Sequence, residues 1–313
     1  MELISVIVPC YNEQEAIPYF YKEICAVMDK MQDFCFEVIF VNDGSKDATL
    51  KIIKDLARSD DRIKYISFSR NFGKEAAMYA GFDLSKGDYV ALMDADLQDP
   101  PSLLPQMMDA LKKEGYDSIG TRRITRTGEP PVRSFFARMF YRIINRISDA
   151  NIMDGARDYR LMTRQMADAI LALSEKERFS KGIFGWVGFN TKWIEFENVD
   201  RVAGRTKWTF WTLFKYSIEG ITAFSTIPLY LAILAGTIMV SIALIMGIVF
   251  LVRWLSMGAV PGTAASVNCM ILLVGGIICG LLGIVGQYIA NAYGEVKNRP
   301  IYILKETNIK KDD

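Results

Sequence analysis

The stretch YVALMDADLQDPP, residues 89–101, joins a short apolar segment to a run of carboxylates and a pair of prolines. Its first part, Val90–Met93, is uncharged and apolar, as expected for a strand buried on both faces of a parallel sheet. Asp94, Asp96 and Asp99 follow directly. Ligands of parallel sheets bind beyond the carboxyl ends of the strands. We therefore interpret this stretch as the end of a central strand that opens onto a polar site.

The residues before this stretch alternate between apolar runs of strand length and segments with helical periodicity. This alternation predicts an α/β domain with a Rossmann-like, mostly parallel sheet. The predicted strands are Leu3–Val8, Glu37–Val41, Ile63–Phe68 and Tyr89–Met93, and the predicted helices are Glu13–Met31, Ala48–Ala57 and Lys74–Leu84. Polar residues follow three of these strands, so the sheet is expected to gather them at one edge.

Two carboxylates at positions i and i+2 after a strand can converge on one cation. A hard divalent ion, Mg²⁺ or Mn²⁺, prefers oxygen ligands and can bridge the phosphates of a nucleotide diphosphate. Asp94 and Asp96 are the candidate ligands, and Asp43 follows a neighbouring strand, where it could hold a nucleoside. The alternative to metal binding by Asp94 and Asp96 is an acidic turn that caps the next helix. The alternative to nucleoside binding by Asp43 is an ordinary Asx turn.

The composition excludes several classes of chemistry. The chain has no histidine, which excludes a histidine base, a Ser-His-Asp triad and the common zinc sites. Its net charge of +1 gives no polyelectrolyte signal for nucleic acid, which is excluded as a partner. Its five cysteines form no C-x-x-C pair and are interpreted as reduced thiols. Any chemistry must therefore run on carboxylates, amides and basic side chains.

The last third of the chain is interpreted as a membrane anchor. No charged residue lies between Glu219 and Arg253, or between Arg253 and Glu295, and a span needs about 20 such residues. Two spans are predicted, joined by a Gly/Pro turn. Basic residues flank the pair and no signal peptide is evident, so both ends are expected in the cytoplasm. The predicted boundaries are a cytoplasmic catalytic domain over 1–207, a juxtamembrane interfacial helix over 208–226, a two-helix transmembrane region over 227–294 and a cytoplasmic tail over 295–313.

A second segment suited to the membrane surface lies between Arg122 and Ser148, which holds seven arginines and one acidic residue. Arg138, Arg142 and Arg146 recur every four residues and so form one helical stripe beside an apolar face. Such a helix suits the bilayer interface and an anionic lipid phosphate, and the alternative is a surface helix packed on the sheet. Gly276, Gly280 and Gly283 lie on one face of the second span and permit close helix contact. The helix in contact is either the first span or another subunit, and a homo-oligomer is expected.

Six blocks of the sequence resemble, in order, those of the GT-A fold family 2 glycosyltransferases, in the branch that uses polyprenyl phosphates. That branch includes the dolichyl-phosphate mannose synthases and the bactoprenol glucosyltransferases. The resemblance covers essentially the whole chain, and the two predicted spans match the bacterial subtype. Tyr159 departs from the pattern, because phenylalanine is common there. The blocks are PCYNE (9–13), VNDGS (41–45), SRNFGK (69–74), DADLQ (94–98), DYRLM (158–162) and RVAGRTKW (201–208).

The resemblance implies a role for each matching residue. The implied nucleotide-sugar site consists of Pro9, Tyr11, Glu13, Asp43, Lys74 and Asp94. The implied ligands of the Mg²⁺ or Mn²⁺ ion are Asp94, Asp96 and Gln98, and the implied catalytic residues are Asp94, Asp96 and Asp158. The implied acceptor-phosphate residues are Arg122, Arg138, Arg205 and Lys207. Asp158 is implied to lie on the acceptor side, where it orients the acceptor or acts as a weak base. The alternative is a salt bridge to Arg157 or Arg160 that holds its loop.

The implied reaction is one inverting displacement that moves a hexose from a nucleotide diphosphate to a polyprenyl phosphate, undecaprenyl phosphate in bacteria. The lipid phosphate has a second pKa of about 6 and needs no strong base. UDP-glucose is the favoured donor, with UDP-GlcNAc and GDP-mannose as alternatives, and the product would supply cell-envelope glycosylation at the cytoplasmic membrane. The alternatives of other kinds are a lipid flippase or scaffold with an inactive transferase fold, and a processive polysaccharide synthase. The synthase is disfavoured because Arg253-Trp254 lacks the glutamine of a Q-x-x-R-W motif.

Overall fold

The computed structural model describes residues 1–123, 153, 155–173, 175–176, 178–196, 227–257 and 264–310. The chain divides into two compact units, Met1–Ala223 together with Pro300–Asp313, and Phe224–Arg299. The first unit alternates strands and helices around one sheet, so the predicted α/β class is confirmed.

One eight-stranded sheet organises the first unit. The strands are β1 (Glu2–Cys10), β2 (Phe34–Asn42), β3 (Ile63–Phe68), β4 (Tyr89–Leu92), β5 (Ser118–Arg123), β6 (Ala156–Thr163), β7 (Thr191–Phe196) and β8 (Leu304–Thr307). Their spatial order is β7-β5-β6-β4-β1-β2-β3-β8. The central pairs β4–β1, β1–β2 and β2–β3 are parallel, whereas β6 runs antiparallel to both its neighbours and β8 runs antiparallel to β3. The sheet is therefore mixed, with a parallel centre.

The helices that flank this sheet are α1 (Ile17–Met28), α2 (Thr49–Ser59), α3 (Lys74–Leu84), α4 (Leu104–Glu114), α5 (Arg164–Ala172) and α6 (Ser180–Trp186). The first helix starts later than the predicted Glu13. The N–H groups of Ala16 and Ile17 bond to the carbonyl of Glu13 in a turn, and Pro18 lies in the first helical turn, where its missing N–H costs nothing.

The core lies between β1, β2 and β4 and the helices that cover them. Ile4, Val6 and Val8 alternate along β1 and are fully buried, as are Phe20 of α1 and Phe40 of β2, whose rings meet edge to face at 5.9 Å. Burial of each such side chain is worth about 1.5–3 kcal/mol. The core fixes the parallel strands, and so fixes where their carboxyl ends emerge.

The predicted C-terminal tail contains an edge strand that the sequence did not reveal. Strand β8 pairs with β3, and the N–H of Ser69 donates to the carbonyl of Ile303 at 3.0 Å. The ring of Tyr302 stacks on Phe68 with ring centres 5.0 Å apart. Strand β8, which follows both long helices in sequence, is thus part of the first unit.

The second unit consists of two long helices, α7 (Ile227–Met257) and α8 (Ala264–Val296). Among the described residues, one segment is long and apolar enough to cross a membrane, Val274–Val296, and Pro228–Met239 is a shorter apolar segment. The structure therefore provides one candidate span, and the second span stays a prediction. The predicted connecting turn and interfacial helix lie outside the described residues.

Candidate active site

Two carboxylates face each other where β4 and β6 meet. Leu92 lies opposite Arg160 in this antiparallel pair, and the same register continued along both strands brings Asp94 opposite Asp158. The ammonium group of Lys74 lies between the two: its Nζ is 2.7 Å from Asp94 Oδ1 and 2.5 Å from Asp158 Oδ2. The structure thus brings three predicted site residues together in one group, which we call the Lys74 cluster.

The position of Lys74 follows from the loop that precedes α3. Lys74 is the first residue of that helix, and Gly73 before it has φ +100°, a left-handed backbone that favours glycine. The carboxylate of Asp43 accepts the N–H groups of Phe72 at 2.6 Å and Gly73 at 2.9 Å. The Asx-turn alternative for Asp43 is therefore wrong, because both its oxygens bond to a loop about 30 residues away.

Gly44 permits the same loop to pass close to the end of β2. Its φ is +64°, and a Cβ there would lie 2.4 Å from the carbonyl carbon of Arg70 and 2.7 Å from the nitrogen of Asn71. Both neighbours are backbone atoms, which cannot rotate away. A glycine is therefore required for the loop to reach the place from which Lys74 extends.

Charge and burial oppose each other in the Lys74 cluster. Burial acts to lower the pKa of Lys74, but the charges of Asp158 and Asp94 outweigh it and raise that pKa above its usual range. Burial acts to raise the pKa of Asp158, but the charges of Lys74 and Lys181 outweigh it and hold the pKa well below its usual range. Asp158 is therefore ionised at neutral pH and is a weak base, which favours an orienting role.

The partner of Asp158 also corrects one expectation from the sequence. A salt bridge from Asp158 to Arg157 or Arg160 was the expected alternative, and the carboxylate instead pairs with Lys74. Arg157 pairs with Asp99, with Nε 2.8 Å from Oδ1. Arg157, the neighbour of Asp158, points to the opposite face of the strand. Arg160, two residues further on, shares a face with Asp158 but donates to Ser118 and Thr191 instead.

The loop after β4 carries the remaining acidic residues. Asp96 Oδ1 accepts the N–H of Gln98 at 3.1 Å across Leu97, whose φ of +57° is left-handed. Asp99 is buried, and its Oδ2 has no hydrogen-bond partner. Burial raises the pKa of Asp99 to about 6, against the opposing charge of Arg157. This loop is thus held in shape by its own side chains and by one buried ion pair.

The oxygen atoms of this loop suit a hard divalent cation. Asp94, Asp96 and Gln98 offer carboxylate and amide oxygens at alternate positions, which is the donor chemistry of Mg²⁺ and Mn²⁺. Among the described residues, no group of three or more Asp, Glu, Cys or His side chains could hold a metal ion. The match between this loop and a divalent cation is therefore one of donor chemistry.

The predicted nucleoside residues lie at the same edge of the sheet. Pro9 and Tyr11 belong to the end of β1 and the loop after it, beside β2 and β4 on either side. The N–H of Glu13 donates to Thr49 Oγ1 at 2.8 Å, which ties this loop to the segment after β2 that contains Asp43. The parallel pairing thus gathers these residues, and their contact with a nucleoside stays a prediction.

One predicted acceptor residue is described, and it lies near Asp158. Arg122 stands opposite Ala156 at the start of β6. Its guanidinium pairs with Glu195 at 2.7 Å and contacts Met153 Sδ at 3.3 Å. The other predicted acceptor residues, Arg138, Arg205 and Lys207, lie outside the described residues, as does the rest of the arginine stripe.

Four charged residues around Asp158 have no binding role that the sequence predicts: Asp99, Arg157, Arg160 and Lys181. The pairing of Asp99 with Arg157 joins residues 58 positions apart, so no local pattern reveals it. The order Arg157, Asp158, Tyr159, Arg160 within one strand does indicate a functional site, because it places charged side chains on both faces of a buried sheet.

Comparison with known proteins identifies close relatives. The profile described as "Glycosyl transferase family 2" matches residues 5–171. CsbB of Bacillus subtilis (strain 168), named as a glycosyltransferase, is 42% identical over 99% of this chain and 94% of its own length. The SfII prophage-derived bactoprenol glucosyl transferase of Shigella flexneri is 39% identical over 97% of this chain and 98% of its own length. The glucosyl-3-phosphoglycerate synthase structure from Mycobacterium tuberculosis with Mn²⁺, UDP-glucose and phosphoglyceric acid is 19% identical, covers 71% of this chain and 78% of that one, and has a TM-score of 0.48.

Proposed function

This chain belongs to glycosyl transferase family 2, and we propose that it transfers a hexose, with UDP-glucose as the favoured donor, onto the phosphate of a polyprenyl phosphate. Relatives that match nearly its full length at 39% identity are named bactoprenol glucosyl transferases, which supports a lipid-phosphate acceptor and glucose. Undecaprenyl phosphate is the proposed bacterial acceptor. The same relatives leave UDP-GlcNAc and GDP-mannose as donors to be tested.

The Lys74 cluster is the observation that carries the proposal. It places one ammonium and two carboxylates at the carboxyl end of β4, where a parallel sheet binds ligands. Asp94 belongs to the loop proposed for the donor and the metal, and Asp158 belongs to the strand beside Arg122. Lys74 therefore connects the donor side of the site to the acceptor side.

The proposed reaction forms a bond between an acceptor phosphate oxygen and the anomeric carbon while the bond from that carbon to the diphosphate breaks. The acceptor oxygen is already ionised, so no side chain has to remove a proton. Positioning and electrostatic stabilisation then supply the catalysis. Lys74 keeps its proton and offers a fixed positive charge, and Asp158 keeps it in place. A single displacement inverts the configuration of an α-linked donor to a β-linked product.

A divalent cation held by Asp94, Asp96 and Gln98 would, when bound, neutralise charge on the departing diphosphate. The work of the protein is to present those oxygen atoms in a rigid turn, through the Asp96–Gln98 bond and the Asp99–Arg157 pair. Loss of turnover in EDTA, restored by Mg²⁺ or Mn²⁺, is the expected sign of this requirement.

The proposal places the protein in the cytoplasmic membrane. Two spans over 227–294, with the catalytic unit and the C-terminus on the cytoplasmic side, bring a water-soluble donor and a membrane-bound acceptor to one site. The uncharged stretches on either side of Arg253 support both spans. Association of glycine-faced spans into a homo-oligomer belongs to the same proposal.

The direct test is transfer of radiolabelled sugar from each candidate donor to polyprenyl phosphate in membranes that contain the protein. Lys74→Met and Asp94→Asn should each reduce turnover at least about 100-fold, because each removes a charge from the reaction centre. Two matched controls remove an exposed charge from a surface pair. Lys192→Met breaks a pair with Glu114, Asp109→Asn breaks a pair with Lys113, and both should retain wild-type turnover.

Equal activity of Lys74→Met and Lys192→Met would contradict the proposed site. Absence of transfer from every donor, in membranes where the protein is folded, would instead favour the alternative of a flippase or scaffold with an inactive transferase fold. The donor that gives the highest kcat/KM identifies the sugar.

A further inference from the structure

A cavity of about 220 Å³ opens between β6, α6 and β7. Three of its wall residues are cationic and the others are mainly aromatic or small. The residues that carry the argument are Arg157, Arg160, Lys181, Phe184 and Trp193. Two of them, Arg157 and Arg160, flank Asp158 in β6. We call this space the Arg160 cavity.

Arg160 is the unusual member of this cavity. The residue is 4% exposed, and its Nε has no hydrogen-bond partner. Its Nη1 donates to Ser118 Oγ at 3.1 Å and to Thr191 Oγ1 at 3.4 Å, both neutral acceptors. Among the described residues, no carboxylate forms a salt bridge with Arg160, although buried charges are normally paired.

The aromatic rings near Arg160 offset only part of the free-energy cost of burying its unpaired charge. Its guanidinium carbon lies 4.7 Å from the ring centre of Phe184 and 5.0 Å from that of Trp193, within the range of a cation–π contact. Burial lowers the pKa of Arg160 to about 10, so the group stays protonated at neutral pH. A protonated guanidinium, whose buried Nε–H has no partner, is thus part of the cavity wall.

The charge of Asp158 acts on Arg160, but Asp158 forms no salt bridge with it. Asp158 already pairs with Lys74 at 2.5 Å. Asp99, on the opposite face of β6, pairs with Arg157. Lys181 adds a further positive charge to the cavity, and that charge acts on Asp158. Among the described residues, the wall of the Arg160 cavity therefore carries three cationic side chains and no carboxylate.

From this arrangement we infer that the Arg160 cavity is a binding site for a phosphate monoester, and that Arg160 supplies its innermost contact. The inference rests on the proposed function, since it takes the bound group to be the acceptor phosphate. A guanidinium with free donors matches phosphate oxygens in geometry as well as charge. Phe184 and Trp193 cover the guanidinium, and the low exposure of Arg160 strengthens its electrostatic interactions. Arg160 was assigned no substrate contact by the sequence, and the cavity adds a second basic subsite to that proposed around Arg122.

The test compares Arg160→Gln and Arg160→Lys with Arg58→Gln, which removes an exposed arginine paired with Asp55 far along the chain. Steady-state kinetics measure KM for polyprenyl phosphate and, separately, for the nucleotide sugar. Arg160→Gln should raise KM for the lipid about 10- to 100-fold and change KM for the donor less than about twofold. Arg160→Lys, which keeps a charge, should recover part of this loss, and Arg58→Gln should match the wild type.

A second measurement does not depend on turnover. Inorganic phosphate and a short, soluble prenyl monophosphate are titrated into the detergent-solubilised protein while its thermal unfolding is followed. Both should raise the Tm of the wild type and of Arg58→Gln but not that of Arg160→Gln. A larger shift with the prenyl compound identifies the lipid headgroup as the source, and equal shifts indicate a site for free phosphate.

The outcomes separate the two proposals. If KM for lipid and donor changes equally in Arg160→Gln, and phosphate still raises its Tm, Arg160 is only a packed structural cation and the inference is wrong. If phosphate binding depends on Arg160 but no lipid phosphate is glycosylated, the anion site stands and the proposed function fails. If Arg160→Gln does not fold, the milder Arg160→Lys variant tests the inference through the same two measurements, the KM values for lipid and donor and the shift of Tm with phosphate.

Discussion

At the scale of single residues, the buried ion pair of Asp99 and Arg157 makes the stability of the protein depend on pH in an unusual direction. The pKa of Asp99 is raised to about 6 from an ordinary value of 3.8, so the folded state binds its proton more tightly than the unfolded state. Stability from this group is fully present below the unfolded pKa. It is lost as pH rises through the folded pKa.

We therefore expect the difference in unfolding free energy between the wild type and Asp99→Asn to fall by about 2 kcal/mol between pH 4 and pH 7. Most of the fall should occur below pH 6.5, with a plateau above it. Denaturant unfolding in EDTA at a series of pH values measures this difference. A rise with pH over the same window would mean that the attraction of Arg157 outweighs the burial of the carboxyl group.

A second residue-scale prediction concerns Gly44, which touches no proposed substrate. A methyl group there would meet the backbone of Arg70 and Asn71, and the φ of +64° is costly for alanine. Gly44→Ala should therefore displace the loop before α3 and reduce kcat by about tenfold or more. Gly115→Ala is the matched control, because Gly115 also has a positive φ, of +73°, but open space around it. Equal kcat in the two variants would show that the loop tolerates the displacement.

At the scale of elements, the edge strand β8 stabilises the part of the sheet that leads to Lys74. Tyr302 stacks on Phe68, and Phe68 meets Phe72 edge to face at 5.8 Å. The hydroxyl of Tyr302 donates to Asp83 Oδ2 at 2.9 Å. These contacts connect the segment after α8 with both ends of the loop and helix that position the ammonium group.

Two substitutions separate the ring of Tyr302 from its hydroxyl. Tyr302→Ala should lower the unfolding free energy by about 2 kcal/mol, through lost burial and stacking. Tyr302→Phe keeps the stack and should cost about 1 kcal/mol for one hydrogen bond. Thermal unfolding of the purified protein measures both. An equal loss in the two variants would show that the ring contributes little.

The elements differ in how far the sequence alone predicts them. The first four strands follow from local apolar runs, and Ile63–Phe68 and Lys74–Leu84 have the predicted bounds. The antiparallel placements of β6 and β8 were not predictable, because pairing partners far apart in sequence leave no local pattern. For the same reason the sequence identified Asp94, Asp158 and Lys74 individually but not the ion pairs that join them.

At the scale of the whole molecule, the predicted topology has a direct test. Single cysteines are introduced as Val260→Cys, in the predicted connecting turn, and Lys305→Cys, in β8. On intact cells, a membrane-impermeant maleimide should label position 260 and should reach position 305 only after the membrane is opened. Labelling of both positions from outside would contradict two spans with cytoplasmic ends.

The position of β8 in the sheet also affects how the protein is made. The first unit takes its sheet from both sides of a long helical insertion, so β3 has no outer neighbour until the ribosome has synthesised both helices and the residues beyond them. Until then β3 presents unpaired backbone groups, which are prone to mispairing with other chains. Nascent chains released before residue 304 should therefore aggregate or be degraded. The complete sheet can therefore form only after both long helices have been synthesised.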